Sequence, residues 1–178
     1  MSKSGSTYER ELRSLLAGDP KAISKMVKTC TPEENRAYSA MAEEPFMVVR
    51  AAGSLGVDLV ALRWDFSFPI EVKSSAEDVL HFSKNPRLGE QADRMRTDCA
   101  SCHIMPIYAY RLKNIRGVPW RVFTIPSGSE LRGRNAVLRR RVPEFDVTPG
   151  GNYVMRWSEG MKLSMFLSYV GMTCFEDD

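Results

Sequence analysis

The first apolar stripe in the chain has helical spacing and runs over the segment from Thr7 to Ala17. Four apolar residues share its face, namely Tyr8, Leu12, Leu15 and Leu16. This spacing predicts an amphipathic helix, which Ser6 or Thr7 can cap. The next segment, Gly18 to Glu44, mixes prolines and charged residues with a few apolar positions and predicts one or two short helices. It has the character of an inserted helical segment.

Short runs rich in β-branched and aromatic residues follow and predict strands. They are Phe46–Arg50, Val57–Leu62, Pro69–Lys73, Ile104–Leu112 and Trp120–Ile125. Between the third and fourth runs, Ala76–Leu80 and Leu88–Arg96 favour helix. The resulting order of elements predicts an α/β fold in which helices pack on a mixed sheet. Beyond Pro126 the pattern weakens, and the chain ends in an amphipathic segment, Ser158–Tyr169.

The chain has 178 residues, which suits a single domain with one core. We expect the core of this domain at about 5–126, the helical insertion at about 18–44 and a C-terminal extension at about 127–178. Hydrophobic residues make up 43% and charged residues 26%, which argues against a disordered or fibrous protein. The apolar runs are far shorter than the roughly 20 residues that span a bilayer, and the start is polar. We therefore expect an intracellular location and no membrane partner.

A cluster of basic residues lies between Arg111 and Arg141, although the net charge of the chain is only +3. They are Arg111, Lys113, Arg116, Arg121, Arg132, Arg134, Arg139, Arg140 and Arg141. Such clustering favours a surface that faces phosphate groups. A solvated face would show the same residues, so the cluster supports nucleic-acid binding only in combination with a catalytic motif.

The four cysteines of a chain without an export signal suggest free thiols in a reducing compartment. Cys99, Cys102 and His103 match the pattern of c-type haem attachment, but that attachment requires export, and we interpret the match as chance. Zinc binding by these residues would need further ligands, and the chain has no second Cys-x-x-Cys pair.

Asp58, Glu71 and Lys73 form the arrangement that suggests chemistry. Asp58 lies within an apolar strand, where an unpaired carboxylate is costly to desolvate and therefore favours a nearby cation. Glu71 and Lys73 are two residues apart on the next strand, so their side chains share one face. A hairpin turn near Trp64 and Asp65 would bring Asp58 opposite Glu71. Two carboxylates beside water suit Mg²⁺, which polarises a phosphate and activates water.

A plain ion pair on a half-exposed sheet gives the same Glu-x-Lys spacing, which is a weak signal alone. The combination is more specific, because the glycine-containing segment Gly53–Gly56 precedes Asp58 and the run Pro69–Lys73 follows at hairpin distance. Lys73 would then position the attacking water or stabilise charge on the phosphate oxygens.

Four successive segments resemble motifs of the archaeal-type Holliday junction resolvases, which belong to the PD-(D/E)xK nuclease superfamily. They are Tyr8–Leu12, Val49–Ser54, Val57–Ala61 and Ile70–Lys73. The resemblance covers roughly Gly5 to Lys73 and implies a restriction-endonuclease-like fold, a mixed central sheet flanked by helices, here with the helical insertion and the C-terminal extension. It also implies a homodimer that cuts branched double-stranded DNA, four-way junctions above all, by paired symmetric nicks.

Carried over residue by residue, the resemblance assigns the catalytic roles to Glu9, Asp58, Glu71 and Lys73. It assigns the metal to Glu9, Asp58 and Glu71, with Mg²⁺ expected and Mn²⁺ able to substitute. Substrate phosphate would be supported by Arg10, Arg50 and Ser54. Such an enzyme would act in the cell at the nucleoid, or it would be encoded by a virus.

Two residues leave alternatives open at this stage. Glu9 lies at the margin of the apolar stripe, but an acid in the first turn is also favoured by the helix dipole, and Glu11 is its possible substitute. Gln91 is either the helical glutamine that many nucleases of this superfamily place near the metal or an ordinary exposed glutamine.

Two other functions remain open. Another nuclease of the same superfamily, restriction-like or a repair enzyme, would have nearly the same active-site residues. A non-catalytic DNA-binding or junction-binding protein is the third interpretation. The intact acids argue against it, because carboxylates near phosphate weaken binding unless a cation neutralises them.

Overall fold

The structure is a computed structural model that describes residues 5–51, 56–126 and 130–172. In these ranges the helices are α1 (Gly5–Leu16), α2 (Pro20–Met26), α3 (Pro32–Glu43), α4 (Pro86–Cys102), α5 (Gly133–Arg139) and α6 (Leu163–Met172). The strands are β1 (Met47–Arg50), β2 (Leu59–Leu62), β3 (Ser67–Ser75), β4 (Val79–His81), β5 (Ile107–Leu112), β6 (Trp120–Phe123), β7 (Asp146–Val147), β8 (Tyr153–Arg156) and β9 (Met161–Lys162). Single 3₁₀ turns lie at Val27–Thr29, Phe82–Lys84 and Trp157–Glu159.

The main sheet has six strands in the order β1-β2-β3-β5-β6-β9. Its β3 and β5 run parallel, and every other pair of neighbouring strands in it is antiparallel. A parallel pair needs a long connection, and α4 lies in the stretch between β3 and β5. The predicted mixed central sheet flanked by helices is thereby confirmed.

The predicted helical insertion forms α2 and α3, and local capping explains where each begins. Asp19 accepts from the backbone N–H of Ala22 ahead of α2. Thr31 and Glu34 form a capping box at the start of α3. Gly18 has a φ of 70°, and a Cβ there would come within 2.3 Å of the carbonyl oxygen of Met41. A glycine at this position therefore lets α1 and α3 pack closely.

The two faces of the main sheet bury different sets of apolar side chains. One core contains residues of α1, α3 and α6 together with Ile70, Ile107 and Ala109. The other contains residues of α4 and of the small sheet β4-β8-β7 together with Tyr108 and Tyr110. The second face is the one on which Glu71 and Lys73 project, because side chains alternate along β3.

Elements from the C-terminal part of the chain pack on both faces of the main sheet. β9 adds an edge strand to the main sheet, and Phe166, Leu167 and Val170 of α6 are buried in the first core. β8 forms the centre of the small sheet. None of the helices in the described ranges is long and apolar enough to cross a membrane.

Two segments singled out in the sequence differ in the structure from their local pattern. Ala76–Leu80 is not helical, since Val79 and Leu80 belong to β4, which pairs with Arg156 and Met155 of β8. That pairing joins residues far apart in sequence and outweighs the local helical pattern. In the amphipathic segment Ser158–Tyr169, the first residues form a 3₁₀ turn and β9, and the helix begins only at Leu163.

Candidate active site

A β-hairpin formed by β2 and β3 places Asp58, the residue before β2, beside Glu71 of β3. Leu59 pairs with Ile70, so the register continued by one residue sets Asp58 opposite Glu71. The N–H of Asp58 donates to the carbonyl of Ile70 at 3.0 Å, and its carboxylate oxygen Oδ2 accepts from the N–H of Val72 at 2.8 Å. The structure thus gives the arrangement that the spacing of the two acids predicts.

Lys73 neutralises only one oxygen of Glu71. Its Nζ lies 2.6 Å from Oε1 of Glu71, and the side chain of Glu71 is just 4% exposed. The second oxygen, Oε2, is buried and has no hydrogen-bond partner. Buried carboxylates are normally paired or bound to a metal, so this oxygen marks a position where a cation would be favourable.

Gln91 of α4 lies over the same group. Its Oε1 accepts from Lys73 Nζ at 3.3 Å, and its Nε2 donates to the carbonyl of Gly56 at 3.2 Å. Of the two interpretations left open by the sequence, the structure therefore favours a glutamine at the site over an exposed one. Gln91 links Lys73 of β3 to Gly56, two residues before Asp58.

The electrostatics of both acids favour binding of a cation. Burial raises the pKa of Asp58, partly opposed by the hydrogen bond from Val72, and the nearby charge of Glu9 raises this pKa further. Burial also raises the pKa of Glu71, against the influence of Lys73, and Asp58 adds to the rise. A divalent cation would relieve both desolvation and mutual repulsion. The donor set, two neighbouring carboxylates, is one that Mg²⁺ accepts.

Glu9 of α1 lies near enough to Asp58 for its charge to raise the pKa of that residue, but its own carboxylate forms an ion pair with Arg50. Its Oε2 accepts from Arg50 Nη2 at 2.8 Å, and the side chain is 16% exposed. Across the part of the chain that the structure describes, no three His, Cys, Asp or Glu side chains are grouped closely enough to hold a metal ion. The structure thus brings Asp58 and Glu71 together, whereas Glu9, the predicted third ligand, forms an ion pair with Arg50.

Glu11, the possible substitute for Glu9, has a different environment. Its Oε1 accepts from Trp120 Nε1 at 2.8 Å and from Arg111 Nε at 3.0 Å. Trp120 is fully buried in the core. Glu11 therefore joins α1 to the sheet, on the opposite margin of the helix from Glu9.

The predicted phosphate contacts fall into three different places. Arg50 is half exposed at the end of β1, beside Glu9. Arg10 is exposed and lines a cavity of about 500 Å³ together with Lys25 and Arg111, on the Glu11 side of α1. Ser54 lies outside the described residues. Of the two predicted contacts that the structure describes, Arg10 and Arg50, it is Arg50 that lies near the acids.

The cysteine and histidine motif does not converge on a site. Cys99 is buried, Cys102 is exposed, and both are free thiols. His103 ends α4 in a left-handed conformation, with Nδ1 3.3 Å from the carbonyl oxygen of Glu130. These residues therefore end a helix rather than surround an ion.

Tyr108 is a residue near the site that the sequence did not single out. It pairs with Glu71 across β3 and β5, it is fully buried, and its hydroxyl has no hydrogen-bond partner. The alternation of Tyr108 and Tyr110 in a buried strand was the available signal. It did not reveal which strand would lie alongside.

No protein-family model and no curated protein matches the sequence. Among solved structures, the chain is similar to that of Hjc from Archaeoglobus fulgidus, a Holliday junction resolvase from an archaeal hyperthermophile. The identity is 18%, the TM-score is 0.48, and the match covers 81% of this chain and 96% of that one. An identity and a TM-score this low assign no function. Any assignment of function has to rest on the side chains of the site.

Proposed function

We propose that this protein is a metal-dependent endonuclease that acts on branched double-stranded DNA. The observation that carries the proposal is the group formed by Asp58, Glu71 and Lys73, in which one buried carboxylate oxygen has no partner. Two desolvated acids and a lysine at hydrogen-bond distance are the groups that metal-assisted hydrolysis of a phosphodiester requires.

Asp58 and Glu71 would hold the metal, with Mg²⁺ preferred and Mn²⁺ able to substitute. When bound, the metal supplies Lewis acidity that polarises the scissile phosphate and lowers the pKa of an attacking water. Glu9 would become a third ligand if Arg50 released it to contact the substrate phosphate. The ion pair between these two side chains, at 2.8 Å, would then be replaced by two others, one between Glu9 and the metal and one between Arg50 and the phosphate.

Lys73 and Gln91 would act directly beside the reacting phosphate. The ammonium of Lys73 can orient the water or stabilise negative charge that develops on the phosphate oxygens. Gln91 limits the positions open to that ammonium, because it accepts from Lys73 while its own amide is held by Gly56. The site is therefore ordered by contacts that exist before substrate binds, which lowers the cost of reaching the transition state.

The preference for branched DNA rests on the sequence motifs shared with the junction resolvases. A homodimer with two-fold symmetry would place two such sites on strands of like polarity and give paired symmetric nicks. Arg50, half exposed beside the acids, suits a contact to the DNA backbone. The substrate also implies an intracellular location, at the nucleoid.

The experiment compares cleavage of a labelled four-way junction with cleavage of a linear duplex of the same sequence, in Mg²⁺ and in chelator. Wild type, Asp58→Asn and the matched control Asp98→Asn, which changes an exposed acid on α4, are assayed side by side. We expect symmetric, Mg²⁺-dependent nicks in the junction from wild type and Asp98→Asn, and binding without cleavage from Asp58→Asn. Equal cutting of the duplex would indicate a general nuclease of the superfamily. Binding without cutting by wild type would indicate a junction-binding protein.

A further inference from the structure

The hydroxyl of Tyr108 is buried without a partner on the face of the sheet that holds the acids. Its ring is fixed between Phe82, with centroids 6.1 Å apart, and Phe145, at 5.2 Å. The neighbouring tyrosines on this face differ, since Tyr110 donates to the carbonyl of Glu77 and Tyr153 donates to Asp93. Tyr108 therefore differs from both neighbouring tyrosines, because its hydroxyl donates to no acceptor.

A second unpartnered atom lies on the adjacent strand at the same register. Glu71 pairs with Tyr108, and residues paired across parallel strands project on the same face. Oε1 of Glu71 accepts from Lys73, but Oε2 is buried and unpartnered, like the hydroxyl of Tyr108. Buried polar groups nearly always have hydrogen-bond partners, so two such groups side by side point to a shared role.

The chemistry of the two groups is complementary. A phenol donates one hydrogen bond and a carboxylate oxygen accepts more than one, so Oε2 can accept from Tyr108 and still bind a cation. After burial, the negative charge of Glu71 is the largest cause that raises the pKa of Tyr108. The hydroxyl thus remains protonated at neutral pH and available as a donor.

We propose that Tyr108 is a positioning residue for Glu71. When a divalent cation is held by Asp58 and Glu71, the Tyr108 hydroxyl donates to the second carboxylate oxygen of Glu71 and fixes the orientation of that ligand. The inference rests on the proposed function as far as metal binding at these acids is concerned. It does not depend on the shape of the DNA substrate.

This role predicts opposite effects of Tyr108→Phe with and without metal. In the metal-free protein the substitution removes a buried hydroxyl without a partner, so stability should be unchanged or higher. With metal, the orientation of Glu71 is lost, and we expect affinity to fall by about 10-fold to 100-fold, as is typical when a group that orients a metal ligand is removed. A merely structural hydroxyl would give the reverse pattern.

Tyr38→Phe is the matched control. Tyr38 is also fully buried, and its hydroxyl also has no partner, but it lies in α3 within the core on the other face of the sheet. The control should leave metal affinity unchanged and should not lower the stability of the metal-free protein. It separates the general effect of losing a buried hydroxyl from an effect on Glu71.

The experiment titrates Mn²⁺ into wild type, Tyr108→Phe and Tyr38→Phe by calorimetry and measures urea unfolding of each in chelator. Weaker Mn²⁺ binding by Tyr108→Phe alone, with undiminished metal-free stability, supports the inference. Equal binding by Tyr108→Phe and wild type overturns it but leaves the nuclease proposal intact. Lower metal-free stability of Tyr108→Phe overturns it as well, because the hydroxyl would already have a partner. Absence of Mn²⁺ binding by wild type overturns both proposals.

Discussion

Lys73 and Gln91 meet above the carboxylate of Glu71, with Lys73 Nζ donating to Gln91 Oε1 at 3.3 Å across 18 residues of sequence. The same ammonium lies 2.6 Å from Glu71 Oε1. A side chain of α4 therefore helps to determine where β3 presents its positive charge.

The first prediction concerns Gln91→Ala. The substitution leaves Lys73 bound only to Glu71 and frees the carbonyl of Gly56, so the ammonium should be less well placed for the reaction. We expect about a tenfold fall in single-turnover cleavage at saturating Mg²⁺, the lower end of the range for groups that orient a site. Glu90→Ala, at an exposed neighbouring position of α4, should cleave like wild type. Equal rates for the two variants would contradict the role of Gln91.

The second prediction concerns the pH dependence of stability in the absence of metal. The raised pKa of Asp58 means that the folded protein binds this proton more tightly than the unfolded chain does. Its favourable contribution is therefore present at acid pH and is lost as pH rises from the usual value of 3.8 through the folded pKa. Asp58→Asn, which keeps a neutral side chain, should be more stable than wild type near neutral pH and should lose that advantage near pH 4.

Urea unfolding in chelator across this pH range measures the difference between the two proteins. Adding Mg²⁺ at neutral pH should raise the stability of wild type and leave Asp58→Asn nearly unchanged, because ligand binding to the folded state is stabilising. A constant difference between the proteins at all pH values would mean that Asp58 is not desolvated in the folded protein.

The third prediction separates Glu9 from Glu11. Glu9→Ala removes a partly exposed ion pair, so unfolding free energy should change by less than about 1 kcal/mol. The cleavage rate should fall by more than about tenfold if Glu9 becomes a metal ligand, since a bound metal contributes several kcal/mol of transition-state stabilisation. Glu11→Ala should show the opposite pattern, because the buried indole N–H of Trp120 loses its acceptor, at a cost of about 1–3 kcal/mol. Cleavage and urea unfolding of both variants test the assignment, and matching behaviour would contradict it.

The fourth prediction concerns the ion pair that holds the β2–β3 turn. Arg63 donates to both carboxylate oxygens of Asp65 at 2.6 and 2.7 Å, and the two side chains are 5% and 0% exposed. Asp65→Asn removes the two-oxygen counter-charge of a buried guanidinium and leaves Arg63 with the longer contact to Glu44 at 4.0 Å, so we expect a loss of about 3–5 kcal/mol in unfolding free energy. Glu77→Gln breaks the exposed pair with Lys84 and should cost less than about 1 kcal/mol. Similar midpoints of urea unfolding for the two variants would overturn this expectation.

The central part of the site could be predicted because it is local. Asp58 and Glu71 belong to one hairpin, and the period of two along a strand places Glu71 and Lys73 on one face whatever the rest of the chain does. The same reasoning held for α1 and for the strands of the mixed sheet. The pairing of Arg50 with Glu9 could not be predicted from local spacing, because that contact joins a helix to a strand 41 residues away.

The remaining differences have the same physical origin. β4 was predicted as helix because its pairing with β8 is not visible in its own residues. Tyr108 was overlooked because the parallel pairing with Glu71 depends on the path of the chain through α4. Arg10 was assigned to the phosphate by motif, but its position on the helix turns it toward the cavity that it shares with Lys25. Each of these outcomes was decided by contacts between distant segments.

The parallel pairing of β3 with β5 also has a consequence for the order of folding. The hairpin that joins Asp58 to Glu71 closes a short loop and can form early, when both acids are still hydrated. Tyr108 and Gln91 belong to β5 and α4, whose docking joins segments farther apart in sequence and covers the acids. The docking that desolvates the acids therefore disfavours their ionised forms, and the cation that the mature site would use is also the one that would ease its assembly.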